Sequence, residues 1–85
     1  MKSVIVMRNE NLKYERIRNL RIDKGFTQQQ VASYLNVKQN TYCQYEIGVL
    51  NYPLDVVIKL AELYGTSVDY LVGLTDNSEP YERKK

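Results

Sequence analysis

The sequence predicts an all-α fold, a compact domain of five short helices preceded by a short extended arm. Three observations predict it. With 85 residues, of which 44% are hydrophobic, the chain can build one small core. Apolar side chains recur at helical spacing from about residue 11 onward. The chain has four glycines, and each follows such a stretch, at the place where a left-handed residue ends a helix.

The arm comprises residues 1–10. Residues 4–6 are Val, Ile and Val, and no helix start precedes them, so either a short strand or a loose extended segment is predicted. At Asn11, a candidate N-cap, the pattern becomes helical. The first helix is predicted over about residues 12 to 24, with a stripe formed by Tyr14, Ile17, Leu20 and Lys24.

The second helix begins with a capping box, since Gln30 follows Thr27 at the required distance of three residues. It ends near Asn36, because asparagine is the non-glycine residue that best tolerates a left-handed backbone. Its inward stripe is formed by Val31, Ala32 and Leu35. The third helix is predicted from about Gln39 to Ile47.

The third helix has two faces. At about 100° per residue, Tyr42 and Tyr45 share one side and are expected to pack inward. The opposite arc carries Gln39, Asn40, Cys43, Gln44 and Ile47. Side-chain amides offer both donors and acceptors and can bond bidentately to adenine, so this arc suits the major groove of DNA.

The fourth helix is predicted to start with Pro53 at its first position. Its apolar stripe is formed by Leu54, Val57, Ile58, Ala61 and Tyr64. Either Ser67 or Thr66 caps a short fifth helix. The inward residues of that helix are Val68, Leu71 and Val72. The domain is therefore predicted to span residues 11–74, and the polar residues 75–85 are predicted to form a mobile tail.

Catalytic and metal-binding functions are not predicted. The chain has no histidine, so the commonest general base is missing and no zinc-ligand set can form. Cys43, the single cysteine, has no histidine to activate it. The aspartates stand singly, without the clustering that metal-assisted hydrolysis requires. We therefore expect no enzyme activity, no cofactor, no metal and no small-molecule ligand.

The net charge and the apolar segments indicate the compartment of the protein, but they do not identify its partner. The net charge is +2, and no run of like charges is long enough to indicate a polybasic arm. With a single cysteine, no internal disulfide can form, which fits a reducing environment. The apolar residues 3–7, "SVIVM", are far fewer than a secretory signal or a membrane span of about 20 residues needs. A cytoplasmic protein without a membrane partner is expected.

Four segments carry a resemblance to a known family. They are "LRIDKGFTQQQVASYL", the turn "NVKQ", "TYCQYEIG" and "PLDVVIKLAELYGTSVDYLVG". The short turn forces helices two and three to cross steeply, and Ala32 is small enough for that approach. In order and spacing, the segments resemble the helix-turn-helix domains of phage repressors, Cro proteins and Xre-like regulators. The resemblance covers about residues 12 to 74 and implies a lambda-repressor-like DNA-binding domain.

The resemblance also implies site residues. Gln28 would contact DNA near its backbone and could reach a base, and Lys38 would contact a phosphate. The other contacts expected on helix three are Gln39, Asn40, Thr41 and Gln44. Apart from the resemblance, the place of Cys43 on the outward arc would let it touch a thymine methyl group, with a redox switch as the alternative. Arg21 and Glu46 would form a structural ion pair. The plainer interpretation of the amides is a solvated polar helix face.

Two positions and one segment depart from the family pattern. Asn36 stands where glycine is common, which its left-handed tolerance allows. Tyr42 stands where an aliphatic residue is usual, so the core must be reshaped or the hydroxyl must find a partner. The segment after the third helix is often basic, but residues 49–52, "VLNY", are neutral and offer no charge to phosphates.

These features predict a sequence-specific transcriptional regulator, a repressor that reads double-stranded DNA as a homodimer. A palindromic operator is expected, because one recognition helix reads only a few base pairs. The candidate dimer surfaces are residues 3–7 and the last helix around Val68, Val72 and Leu74, with burial against the chain's own core as the equal alternative for both. The alternative is a protein-binding module of the same fold, antitoxin-like or an assembly partner, with weak DNA binding. The neutral residues 49–52 favour that alternative.

Overall fold

The computed structural model describes residues 14–80, and within that range the chain is entirely helix and loop. The helices are α1 (Glu15–Asp23), α2 (Gln28–Leu35), α3 (Gln39–Glu46), α4 (Leu54–Tyr64) and α5 (Val68–Leu71). The prediction of an all-α, five-helix domain is confirmed for the described residues. The predicted arm, residues 1–10, and the candidate cap Asn11 lie outside them.

The ends of α2 follow the local sequence signals. Thr27 Oγ1 accepts from the backbone N–H of Gln30 at 3.0 Å, and Gln30 Oε1 accepts from the backbone N–H of Thr27 at 2.8 Å. This is the predicted capping box. At the other end, Asn36 is left-handed, with φ 62° and ψ 42°, as predicted. Because the left-handed Asn36 ends α2 abruptly, α3 can begin only three residues later.

The core is formed by the inward sides of all five helices. Its buried apolar residues are Ile17, Val31, Ala32, Leu35, Tyr42, Tyr45, Val56, Val57, Leu60, Ala61, Tyr64 and Leu71. Tyrosines supply much of its volume. The rings of Tyr42 and Tyr45 meet edge to face at 6.3 Å, and Tyr45 lies 5.2 Å from Tyr52, in the loop before α4. Both tyrosines of α3 therefore pack inward, as predicted, and hold the helix by its inner face.

The predicted stripe of α4 is partly wrong. Leu54 and Ile58 are 70% and 43% exposed, and the helix buries Val56 and Leu60 in their place. Pro53 is the N-cap residue and not the first helical residue. The sequence of α4 offers two overlapping apolar stripes at helical spacing, and only the packing of its neighbours selects one of them.

The segment after α5 lies against the domain. Arg16 donates to the carbonyl oxygens of Tyr70, at 3.0 Å, and Thr75, at 2.5 Å, and pairs with Asp76 at 2.6 Å. Its guanidinium also stacks 4.2 Å from the centre of the Tyr70 ring. Arg16 therefore joins α1 to the segment that follows α5. The mobility of residues 75–85 stays a prediction, but the first residues of this tail contact α1.

Candidate nucleic-acid interface

The α2–turn–α3 unit presents one face of α3 away from the core. Tyr42 is fully buried and Tyr45 is 7% exposed, so the inner face is fixed. The opposite arc keeps its polar groups accessible. Lys38, Gln39 and Asn40 are exposed, and Thr41, Cys43 and Gln44 are half-buried. The structure thus places the six residues predicted on this helix and its cap where a ligand can reach them, and their DNA contacts stay predictions.

The start of α3 leaves backbone donors available. Lys38 is the N-cap residue, in extended conformation, and no side chain caps the helix. The N–H groups of the first turn have no partner within an α-helix and attract anions. Exposed Gln39 and Asn40 lie in the same turn. Uncharged donors are therefore concentrated at the end of α3 where a recognition helix meets DNA.

A buried carboxylate ties α3 to the rest of the unit. Arg21 donates to both oxygens of Glu46, from Nε to Oε2 at 2.7 Å and from Nη2 to Oε1 at 3.1 Å. Gln28 Nε2 donates to Oε1 at 3.0 Å, and Tyr42 Oη donates to Oε2 at 2.5 Å. We call Arg21, Gln28, Tyr42 and Glu46 the Glu46 cluster. It joins α1, the start of α2 and two turns of α3 through one carboxylate.

The electrostatics of the Glu46 cluster favour the charged pair. Burial by itself would raise the pKa of Glu46, but the hydrogen bonds from Arg21, Tyr42 and Gln28 outweigh it and lower that pKa below its usual range. The hydrogen bond to Glu46 raises the pKa of Arg21 despite burial. Burial, followed by the bond to Glu46, raises the pKa of Tyr42. Glu46 is therefore an anion at neutral pH, and Tyr42 is a neutral donor to it.

The guanidinium group of Arg21 is hydrogen-bonded within the protein. Its side chain is 12% exposed, and its remaining nitrogen, Nη1, donates to the carbonyl oxygen of Phe26 at 2.9 Å. Each guanidinium nitrogen thus has a protein acceptor. Arg21 therefore does not count among the groups available to neutralise a DNA phosphate, and Lys38 is the cation that the motif leaves for that role.

Two bonds of the Glu46 cluster were missed by sequence reasoning. Tyr42 and Glu46 stand four residues apart on one helix, and that spacing could have indicated their contact. Gln28 was predicted to contact DNA, without a protein partner. Its contact with Glu46 joins residues 18 positions apart, and no local pattern reports it.

The loop after α3 exposes apolar side chains. Ile47, Val49 and Leu50 are 48%, 64% and 41% exposed. The backbone N–H groups of Val49 and Leu50 both donate to the carbonyl oxygen of Gln44, at 2.9 and 3.1 Å. This loop is thus held close to the end of α3 and carries no cation among residues 47–52.

Residues 14–80 form no group of three or more acidic or cysteine side chains that could hold a metal ion. In the same range, no helix has the length and apolar character that crossing a membrane requires.

Two helices joined by a tight turn form a helix-turn-helix unit when the inner face of the second helix packs on the core and its outer face is polar and accessible. A family model described as "Helix-turn-helix" matches residues 17–71. The chain belongs to this family, of the Xre-like and Cro type, which confirms the family resemblance and the lambda-repressor-like fold class. The family consists of transcriptional regulators and not of enzymes, in agreement with the prediction.

Curated relatives are similar over most of this chain. An uncharacterised HTH-type transcriptional regulator of Bacillus subtilis, YobD, is 38% identical over 71 residues, covering 84% of this chain and 63% of its own length. The cryptic phage CTXphi transcriptional repressor RstR of Vibrio cholerae is 40% identical over 57 residues, covering 67% and 51%. The HTH-type transcriptional regulator ImmR of Bacillus subtilis is 34% identical over 68 residues, covering 80% and 54%.

The chain spans about half to three-fifths of the length of these relatives. No solved structure matches the chain.

Proposed function

We propose that this protein is a sequence-specific DNA-binding transcriptional repressor that reads the major groove with α3 as a homodimer. The observation that carries the proposal is the two-faced α3. Its inner face is fixed by Tyr42 and by the Glu46 cluster, while Gln39, Asn40 and Gln44 remain accessible on the other side.

Readout by these residues would be direct. Asn and Gln side chains bond bidentately to the N6 and N7 atoms of adenine. The half-buried Cys43, on the same face of α3, can contact a thymine methyl group. Such contacts require a helix that does not rotate when DNA binds. The buried tyrosines and the ion pair to α1 supply that rigidity.

The name of one relative supports the repressor role. The protein of Vibrio cholerae is named as a phage transcriptional repressor. One recognition helix reads only a few base pairs, so useful specificity needs two half-sites about one helical turn apart. Leu74, in one of the candidate dimer surfaces, is 76% exposed, while Val68 and Val72 are half-buried. The other candidate surface, residues 3–7, lies outside the described residues.

Selection from a pool of random duplexes tests this proposal. We expect the pool to converge on an inverted repeat whose half-site centres lie about 10 base pairs apart, or a multiple of that spacing. Gel-shift and sedimentation measurements should then give two protein chains per duplex. A pool that does not converge, with only weak binding to any duplex, would reject specific DNA reading.

A protein-binding module of the same fold is the second candidate. The observation that favours it is the apolar loop with exposed Ile47, Val49 and Leu50, because exposed apolar side chains in a row suit a protein partner better than phosphates. The two functions differ in the selection experiment, since the module would bind DNA weakly and without a palindromic preference.

The salt dependence of DNA affinity is expected to be shallow. Lys38 is the cation that the motif brings to phosphates, Arg21 is bonded within the protein, and residues 47–52 carry no charge. Few counterions are then released on binding. Two copies of Lys38 in a dimer neutralise two phosphates at about 0.9 each, so these contacts give a log–log slope of about −2. We expect the measured slope to stay within about 4 in magnitude, compared with about −10 for a richly basic repressor.

Measuring affinity for the selected duplex from low to moderate salt gives this slope directly. Lys38→Gln provides the matched comparison, since it should reduce the magnitude of the slope by about 1 to 2 for the two copies of Lys38 in a dimer. A wild-type slope near −10 would mean that cations outside the described contacts dominate.

A further inference from the structure

We propose that Glu46 and Tyr42 are positioning residues for Gln28, and that together they direct the second amide N–H of Gln28 to a phosphate of the DNA backbone. This inference rests on the proposed function. It assigns to the Glu46 cluster a role in DNA binding besides joining α3 to α1.

The chemistry of Glu46 determines which way the Gln28 amide faces. An ionised carboxylate only accepts hydrogen bonds, so the amide can approach it through nitrogen and not through oxygen. The distance from Gln28 Nε2 to Glu46 Oε1 is 3.0 Å. One N–H of the amide is therefore used inside the protein, and the second N–H stays available. Because Gln28 is half-buried, a ligand can reach that second N–H only from the exposed side of the residue.

The carboxylate is itself held in place. Arg21 bonds to both of its oxygens, and the hydroxyl of Tyr42 bonds to Oε2 at 2.5 Å. The side chain of Glu46 is 1% exposed, so water does not compete for it. Glu46 therefore cannot follow the motion of Gln28. It restricts the amide before DNA arrives, which reduces the entropy that binding would otherwise lose.

Tyr42 makes this arrangement particular to the chain. Its ring fills the core, with 0% exposure, and its hydroxyl donates to the oxygen of Glu46 that does not receive Gln28. Phenylalanine at this position would fill the same space but would leave Oε2 to Arg21 alone. The hydroxyl is therefore dispensable for filling the core, and removing it separates positioning from packing.

The expected ligand is a phosphate oxygen and not a base. A phosphate accepts hydrogen bonds from any direction that the amide can offer, and its charge strengthens the bond. Backbone contacts of this kind fix the register of a protein on DNA without carrying sequence information. Variants of the cluster should therefore lower affinity for the selected duplex and for a random-sequence duplex by the same factor.

The test uses the full chain with three variants, Gln28→Ala, Tyr42→Phe and Glu46→Gln, and with Gln29→Ala and Tyr34→Phe as controls. Gln29 is the exposed neighbour of Gln28. Tyr34 has an exposed hydroxyl that bonds to none of the cluster residues and lies 3.4 Å from the carbonyl oxygen of Lys59. Each of the three variants should lower DNA affinity about tenfold, as expected for one hydrogen bond to a charged group. The controls should bind like the wild type.

Double variants separate positioning from damage to the fold. If Glu46 and Tyr42 act through Gln28, then Tyr42→Phe and Glu46→Gln should cause no further loss of affinity in a Gln28→Ala background. Replacing backbone phosphates one at a time with neutral methylphosphonate should reveal one position that weakens the wild type but not Gln28→Ala. Equal losses in both backgrounds, or no such position, would overturn the inference.

Nuclear magnetic resonance on the free protein gives a readout that needs no DNA. The side-chain amide of Gln28 should be rigid and slow to exchange in the wild type and mobile in Glu46→Gln. Tyr42→Phe should be intermediate and remains informative if Glu46→Gln does not fold. An equally mobile amide in all three proteins would refute positioning by Glu46. A rigid amide in a protein that binds no DNA would refute the proposed function and, with it, the phosphate contact.

Discussion

Replacing Glu46 with alanine is expected to destabilise the fold by about 3–5 kcal/mol, because it leaves Arg21 as a buried charge without its partner. The side chains of Glu46 and Arg21 are 1% and 12% exposed, so water can replace the lost carboxylate only in part. Gln28 and Tyr42 lose an acceptor at the same time. Since a chain of this size has a total stability of roughly 4–13 kcal/mol, the loss should be evident as a lower unfolding midpoint in urea.

A double-mutant cycle with Arg21→Ala isolates the pair. The double variant should be more stable than the sum of the single losses predicts, since it removes both charges together. Asp76→Ala is the matched control. It breaks the ion pair with Arg16, but the Asp76 side chain is 98% exposed, so we expect little change in stability. A coupling free energy of zero between Arg21 and Glu46 would contradict a stabilising role for their contact.

The same carboxylate predicts the pH dependence of stability. The pKa of Glu46 is lowered in the folded protein from an ordinary value of 4.5. A lowered pKa contributes stability that is fully present above the ordinary value and is lost as pH falls through the folded value. Urea unfolding from pH 7 down to pH 3 should therefore lose stability in the wild type below about pH 4.5. Glu46→Gln should lack that part of the loss.

Replacing Gln39 or Gln44 with alanine is expected to weaken binding to the selected duplex by about 1–3 kcal/mol each. Selectivity should relax at one base pair of each half-site, because each side chain would contact one base. Folding should survive both changes. Gln39 is exposed and Gln44 half-buried on the side of α3 opposite the tyrosines, so neither fills the core.

Two measurements make this prediction decisive. The melting temperature of each variant should match that of the wild type, and its affinity for a random-sequence duplex should change little, since amide contacts to bases carry the specificity. Asn51→Ala serves as a control, because it removes an exposed amide in the loop before α4. Unchanged affinity for the selected duplex in both variants would show that α3 is not the recognition helix.

Local signals in the sequence were sufficient to predict the existence of the helices and several of their ends and inward faces. The capping box at Thr27 and Gln30 and the left-handed Asn36 use contacts between residues no more than four positions apart. The inward placement of Tyr42 and Tyr45 follows from the period of the helix alone. Such features depend on neighbours along the chain, so the local sequence is sufficient to predict them.

The tertiary structure decided the contacts and the burial that depend on residues far apart in the sequence. The pairing of Arg21 with Glu46, 25 positions apart, was expected from the family resemblance and not from any spacing. The approach of Gln28 to Glu46 and that of Arg16 to Thr75 were not expected at all. In α4, packing buried Leu60 and exposed Leu54, although both are equally apolar. Burial and long-range hydrogen bonds are properties of the assembled helices, and a carboxylate acquires its three donor side chains only when α1, α2 and α3 meet.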